Sequence, residues 1–398
     1  MNTSNVPESK MPLMPPRILL GPGPSNASPR VLQAMMSPMI GYADPDFMVV
    51  LDELSELLRL VFQTDEGLAI ALSGTGSAGM EAGLNSLLEP GDTVIICACG
   101  YFGERMADMA ERLGANPVVL RSEWGRPFPP ELLEEELRKH ESVKMVSVVH
   151  AETSTGILQP LEEFSRLAAQ HGALFMVDAV TSLGGSSLAF DEMGIDYAYS
   201  CSQKCLGAPP GICPIVVSPR ALDVIATRKT KPPSWYLDLG LIAKYWGPEH
   251  VYHHTAPVSM ILALREALRI VLEEGLDNRV ARHQRNSAAL RAGLAALGLD
   301  FVAPDGYRLD QITAVRIPDG VDDTTVRQRL LKKHSIEIGK GLGPFDGKVW
   351  RIGLMGESSK VEYLLALLSA LESILPEQGY EVAQGAGVSA ASKSLSIN

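Results

Sequence analysis

Between Leu68 and Asp178, short apolar runs alternate with longer segments of helical spacing, and this rhythm constrains the fold more than any other feature of the 398-residue chain. Leu68 to Leu72, Thr93 to Cys97, Pro117 to Leu120, Lys144 to Val149 and Leu174 to Asp178 read as strands. Glu104 to Leu113, Pro130 to His140 and Leu161 to His171 read as the helices between them. Alternation at this spacing implies right-handed crossovers, hence an α/β fold whose mainly parallel sheet is flanked by helices. A long helix over Asp46 to Phe62, apolar at Phe47, Val50, Leu51, Leu54, Leu57, Leu58 and Val61, precedes the series.

A chain this long exceeds one ordinary domain. After a helix over Val258 to Glu274, a second and smaller α/β pattern begins. It reads as a helix to Leu297, a strand Ile312 to Ile317, a helix Thr324 to Lys333, a strand Trp350 to Leu354 and a helix Lys360 to Leu375. The expected division is an extended N-terminal arm over 1–20, marked by Pro7, Pro12, Pro15 and Pro16; a large domain over 21–277; a small C-terminal domain over 278–376; and a disordered tail, rich in Gly, Ala and Ser, over 377–398.

Charge narrows the class of partner. With 47 acidic against 35 basic side chains and a net charge of -12, neither nucleic acid nor an anionic membrane is the expected partner. No apolar run reaches the ~18 residues of a spanning helix. Five cysteines, an odd number, in a chain without a signal-peptide or transit-peptide pattern point to free thiols and a cytoplasmic setting.

Two groups near the centre carry chemistry. The run Leu174-Phe175-Met176-Val177-Asp178 is a buried strand ending in an acid, and Tyr197 to Lys204 is a second short strand delivering a lysine. Ligands of open α/β sheets bind outside the carboxyl ends of the strands, so both side chains can face one crevice. A carboxylate for a pyridinium nitrogen and an amine for a Schiff base are the two protein groups that pyridoxal 5'-phosphate requires. Upstream, Gly74, Gly76 and Gly79 follow a strand and open a helix, where bare N–H groups and the Thr75 and Ser77 hydroxyls make an anion site. The same spacing fits a dinucleotide fingerprint, but the next strand ends Cys97-Ala98-Cys99-Gly100 without the ribose-binding acid, which argues against a nicotinamide dehydrogenase. A glycine turn made only for packing stays open.

Other motifs are weaker. His150-Ala151-Glu152 has the H-x-E of zinc deaminases without their P-C-x-x-C, and His253 and His254 point apart in any regular element, so no metal is expected. Arg351, inside the apolar run Val349 to Gly353, needs an anionic partner: a bound carboxylate or a structural ion pair.

Taken together, Leu20-Gly21-Pro22-Gly23-Pro24-Ser25-Asn26, Ser73-Gly74-Thr75-Gly76, Val177 to Gly185, Ser202-Gln203-Lys204-Cys205-Leu206, Tyr252-His253-His254-Thr255 and Leu342-Gly343-Pro344 closely resemble the alanine:glyoxylate (serine:pyruvate) aminotransferases, class V enzymes of pyridoxal phosphate fold type I. The resemblance runs in order from about Arg17 to about Leu375. It implies that Lys204 holds the cofactor, Asp178 pairs with its ring nitrogen, and Phe102 stacks on the ring where the family often has tryptophan. It implies that Thr153 lies near the ring hydroxyl, and that Thr75, Gly76, Ser77 and Gln203 hold the phosphate with Tyr252 and Thr255 from a second subunit. Ser77 departs from the histidine the family often has, though a hydroxyl can still donate. Arg351 is the implied clamp for a substrate carboxylate, with Gly21, Tyr42 and Thr153 around the substrate. The implied enzyme is a homodimer with composite sites that moves the amino group of alanine or serine to a small 2-oxo acid, with glyoxylate favoured. Siblings on the same fold are serine:glyoxylate, ureidoglycine:glyoxylate and 2-aminoethylphosphonate aminotransferases and the cysteine desulfurases. The desulfurases need a cysteine on a mobile loop, whereas all five here lie in or beside expected strands.

Overall fold

The computed structural model describes residues 14–397. Its larger sheet has seven strands in the spatial order Leu68–Ser73, Ile212–Val217, Tyr197–Tyr199, Leu174–Asp178, Met145–Val149, Thr93–Ala98, Asn116–Arg121. All pairings are parallel except those of Ile212–Val217, which runs antiparallel to both neighbours. Strands without polar alternation must be covered on both faces, and Met145–Val149, Leu174–Asp178 and Ile212–Val217 are buried along their whole length. One covering element is Pro45–Phe62, started by the Asp44 carboxylate accepting from the Asp46 N–H; it buries Phe47, Leu51, Leu54, Leu58, Val61 and Phe62.

Register decides where the site falls. Val149 lies opposite Asp178, and Asp178 opposite Tyr199, so the carboxyl ends of three neighbouring strands open on one side.

A second core lies on a four-stranded sheet ordered Ile18–Leu20, Ile336–Lys340, Val349–Gly353, Ile312–Arg316, packed on helices Leu276–Ala296 and Val361–Ile374. The edge strand Ile18–Leu20 pairs parallel with Ile336, Glu337 and Ile338, so the end of the expected arm is a strand of the smaller sheet. Three residues carry too little pattern to be recognised before their neighbour is known. Residues 1–13 of the expected arm lie outside the described residues.

The expected disorder after residue 376 does not hold: Ala386–Ile397 is a helix. It packs along Leu276–Ala296, placing Val388, Ala391 and Leu395 against the second core. The small residues that suggested disorder are what allows the helices to touch, since a Cβ on Gly293 would stand 2.9 Å from the Gly387 carbonyl oxygen. Glu372, also buried, accepts the N–H groups of Gly385, Gly387 and Val388 at 2.9, 2.8 and 3.2 Å and so fixes the start of this helix.

Candidate active site

Eight of the expected site residues line one cavity at the strand ends: Thr75, Gly76, Ser77, Phe102, Thr153, Asp178, Gln203 and Lys204. Each arrives from a different part of the α/β framework. Thr75 is the N-cap of helix Gly76–Leu87, and its side chain makes no capping bond, which leaves the hydroxyl and the first N–H groups for a ligand. Asp178 ends its strand, with Oδ1 accepting from the Val180 N–H at 2.9 Å and Oδ2 from the Tyr199 hydroxyl at 2.7 Å. Burial pushes its pKa up, and these two donors and the Lys204 ammonium oppose the shift. Burial likewise lowers the pKa of Lys204, which favours the free amine that a Schiff base needs.

Lys204 Nζ donates to the Pro22 carbonyl. The segment before it fits against the lysine stem only as glycine: Gly23 has φ +114° and a Cβ there would stand 2.7 Å from Lys204 Cδ. The Gly-Pro-Gly-Pro run thus packs against the lysine stem, with Ser25 Oγ donating to the Lys204 carbonyl at 2.9 Å.

Arg351 comes from the other core. It is 7% exposed, and its Nε donates to the Lys340 carbonyl at 2.6 Å and Nη1 to the Thr153 carbonyl at 3.5 Å. Burial pulls its pKa down to about 10, so it is charged at neutral pH. Among the described residues no carboxylate lies within ion-pair distance of it, and the structural ion pair left open by the sequence is absent there. Gly21 packs against the strand that carries Arg351, its carbonyl oxygen standing where it would collide with a Cβ on Gly353.

Five expected residues, Arg351 and Gly21 among them, are absent from the cavity lining. Tyr42, Tyr252 and Thr255 are exposed and absent from the cavity lining, and the rings of Tyr42 and Tyr252 stand 5.0 Å apart on the surface. The adjacent histidines do not point apart: in this irregular segment His253 Nδ1 meets His254 Nδ1 at 2.8 Å, and His254 Nε2 reaches Ser73 Oγ at 2.6 Å. No group of three or more His, Cys, Asp or Glu side chains converges among the described residues. The five cysteines are buried and unpaired, and no helix among the described residues is long and apolar enough to cross a membrane.

Sequence reasoning missed Tyr199, Glu152 and Arg105. Tyr199 is found only through strand register. Glu152 is fully buried under Phe102, accepting the Phe102 N–H at 3.2 Å and the Ser154 hydroxyl at 2.6 Å; burial raises its pKa to about 6. Arg105 lies one turn after Phe102, a spacing that could have placed both on one helix face.

The residues present fit pyridoxal phosphate: a buried acid for the ring nitrogen, an amine of lowered pKa, an uncapped helix start for the phosphate, and a Gln203 Oε1 that is buried with no protein partner. This arrangement on a mostly parallel seven-stranded sheet defines a fold type I pyridoxal phosphate enzyme. The chain belongs to the class-V aminotransferase family, whose model matches residues 18–343. It superposes on the crystal structure of ureidoglycine-glyoxylate aminotransferase from Bacillus subtilis with TM-score 0.94 at 41% identity, covering 96% of this chain and 99% of that one. A crystal structure of alanine-glyoxylate aminotransferase from Nostoc sp. gives TM-score 0.90 at 50% identity over 92% of this chain and 97% of that one. Alanine-glyoxylate aminotransferase of Callithrix jacchus is 41% identical over 366 residues, 91% of this chain and 88% of the relative.

Proposed function

We propose that the protein is a homodimeric, cytoplasmic transaminase that moves the amino group of alanine or serine to glyoxylate by a ping-pong mechanism. The observation that carries the substrate class is Arg351, a buried guanidinium without a carboxylate partner, close enough to Lys204 to lower its pKa. A buried cation of this kind is completed by a small α-carboxylate, which the planar fork binds in two places. Names of relatives in the family that join an amino donor to glyoxylate support the acceptor.

Each half-reaction follows from where the side chains stand. Thr75, Gly76, Ser77 and Gln203 would hold the phosphate end, Phe102 would stack on the ring, Thr153 would stand near its hydroxyl, and Asp178 would keep a proton on the ring nitrogen, a reading supported by their lining one cavity. When bound, pyridoxal phosphate supplies the electron sink that makes the substrate Cα–H bond acidic. Arg351 would then orient the substrate through its carboxylate. With the cofactor bound, the Lys204 amine would be the base that moves the proton at the substrate Cα. Tyr252 and Thr255 would complete the phosphate site of the other subunit; their exposure in one chain supports this reading.

Ureidoglycine is the second donor to consider, because the Bacillus subtilis relative so named aligns over 95% of both chains. The test is a panel of amino donors against glyoxylate, pyruvate and 2-oxoglutarate with the purified holoenzyme. Glycine formation from glyoxylate with alanine or serine is expected; turnover only with other acceptors overturns the reading.

A further inference from the structure

Besides Lys204 and Asp178, the cavity is lined by one more charged side chain, Arg105. It lies one turn into helix Tyr101–Arg112, with its guanidinium carbon 5.0 Å from the Phe102 ring centroid and 5.3 Å from that of Tyr101. Its Nη1 donates to Ser77 Oγ at 3.1 Å. No carboxylate lies within ion-pair distance of it among the described residues. Arg105 is therefore held at the start of helix Gly76–Leu87 by a hydroxyl and an aromatic ring, with no ion-pair partner among the described residues and only a longer-range attraction to Asp178.

Charge bookkeeping in the cavity gives that cation a task. A phosphomonoester carries about two negative charges at neutral pH. The helix start offers roughly half a positive charge. Lys204 has to work as an amine, and Asp178 adds a negative charge that the ring nitrogen would pair with and that Arg105 offsets only at longer range. A full cation at the phosphate end is missing from the residues assigned so far. We propose that Arg105 supplies it: the guanidinium is the charged contact of the cofactor phosphate, and by donating to Ser77 Oγ it leaves the Ser77 hydroxyl proton free to point at the same phosphate. The inference rests on the pyridoxal phosphate reading. It makes Arg105 and Ser77 one unit, in which the arginine brings charge and the serine brings direction. It also ties the phosphate to the Phe102 ring, because one guanidinium touches both.

The test compares two ligands that differ only in the phosphate. Apoenzyme of the wild type, Arg105→Met, Arg105→Lys and Ser77→Ala is titrated with pyridoxal phosphate and with pyridoxal, following the absorbance of the bound aldehyde. Arg105→Met is expected to weaken pyridoxal phosphate about 30-fold while changing pyridoxal less than about 3-fold, as loss of a charge-assisted contact requires. Arg105→Lys should recover part of the loss, since a point charge lacks the fork. Ser77→Ala should lose less than Arg105→Met, again for the phosphorylated ligand alone. Wild-type affinity for pyridoxal phosphate should fall with added salt more steeply than that of Arg105→Met. Equal losses for both ligands would mean that Arg105 only props Phe102, and an unchanged pyridoxal phosphate affinity in Arg105→Met and Arg105→Lys would remove the role altogether. Failure of the wild type to bind either ligand would instead overturn the cofactor reading beneath it.

Discussion

The Tyr199 hydroxyl donates to Asp178 Oδ2 at 2.7 Å, and the two meet because their strands pair with these residues directly opposite. Both are buried, so the bond helps keep the carboxylate charged against a burial effect that favours the acid. Tyr199→Phe is expected to lower kcat about 10-fold with cofactor content unchanged, the scale for one hydrogen bond to a buried charge. Asp178→Asn, which removes the charge itself, should slow the half-reaction by several orders of magnitude. Stopped-flow traces with alanine distinguish the two, and a Tyr199→Phe enzyme as fast as wild type would show that the Val180 N–H suffices.

Lys204→Ala should abolish turnover while the cofactor still binds without a covalent link. Borohydride reduction followed by peptide mapping reads this directly. Label on a different lysine would displace the assignment.

Composite sites can be tested by mixing dead chains. Lys204→Ala chains and Tyr252→Phe, Thr255→Ala chains, each inactive alone, should regain up to about a quarter of wild-type activity after random exchange, because each mixed dimer regains one of its two sites. A mixture that stays dead after exchange has been verified, or a fully active monomer, would refute the shared site.

Acid sensitivity is expected from two buried histidines. His283 Nε2 accepts the Gly356 N–H at 3.0 Å, which leaves Nδ1 to donate to the Arg279 carbonyl at 2.7 Å, and burial beside Arg279 and Arg282 takes its pKa to about 3. His150, buried with Nδ1 unpartnered, is lowered to about 4. Both fold as neutral rings, so the unfolded chain binds more protons at low pH; stability is full above about pH 6.5 and is lost as pH falls toward those values. Between pH 7 and 5 each should cost about 2 kcal/mol. Denaturant unfolding of His283→Gln should show a shallower pH slope than wild type, and equal slopes would remove His283 from the account.

Glu372→Ala should free the C-terminal helix. Three N–H groups lose their acceptor at once, so a loss of about 1–3 kcal/mol and rapid proteolysis between 380 and 397 are expected. Protection equal to wild type would show that apolar packing alone holds the helix.

The sequence by itself determined the elements whose signal is local. The alternation from Leu68 to Asp178 gave the parallel sheet, because period and length are set by neighbours within one element, and Lys204, Asp178 and the glycine-rich helix start, which line one cavity, were expected from strand-end position and motif likeness. Tertiary structure alone decided what depends on which strand lies beside which. The pairing of Tyr199 with Asp178, the place of Ile18–Leu20 in the smaller sheet and the reach of Arg351 to Thr153 join residues far apart in the chain or in different strands, and no local pattern encodes those meetings. The tail shows the physical reason most plainly. Gly, Ala and Ser cannot bury enough apolar surface alone to order a segment, and they form a helix over Ala386–Ile397 because a buried Glu372 and a glycine-notched partner helix are already in place.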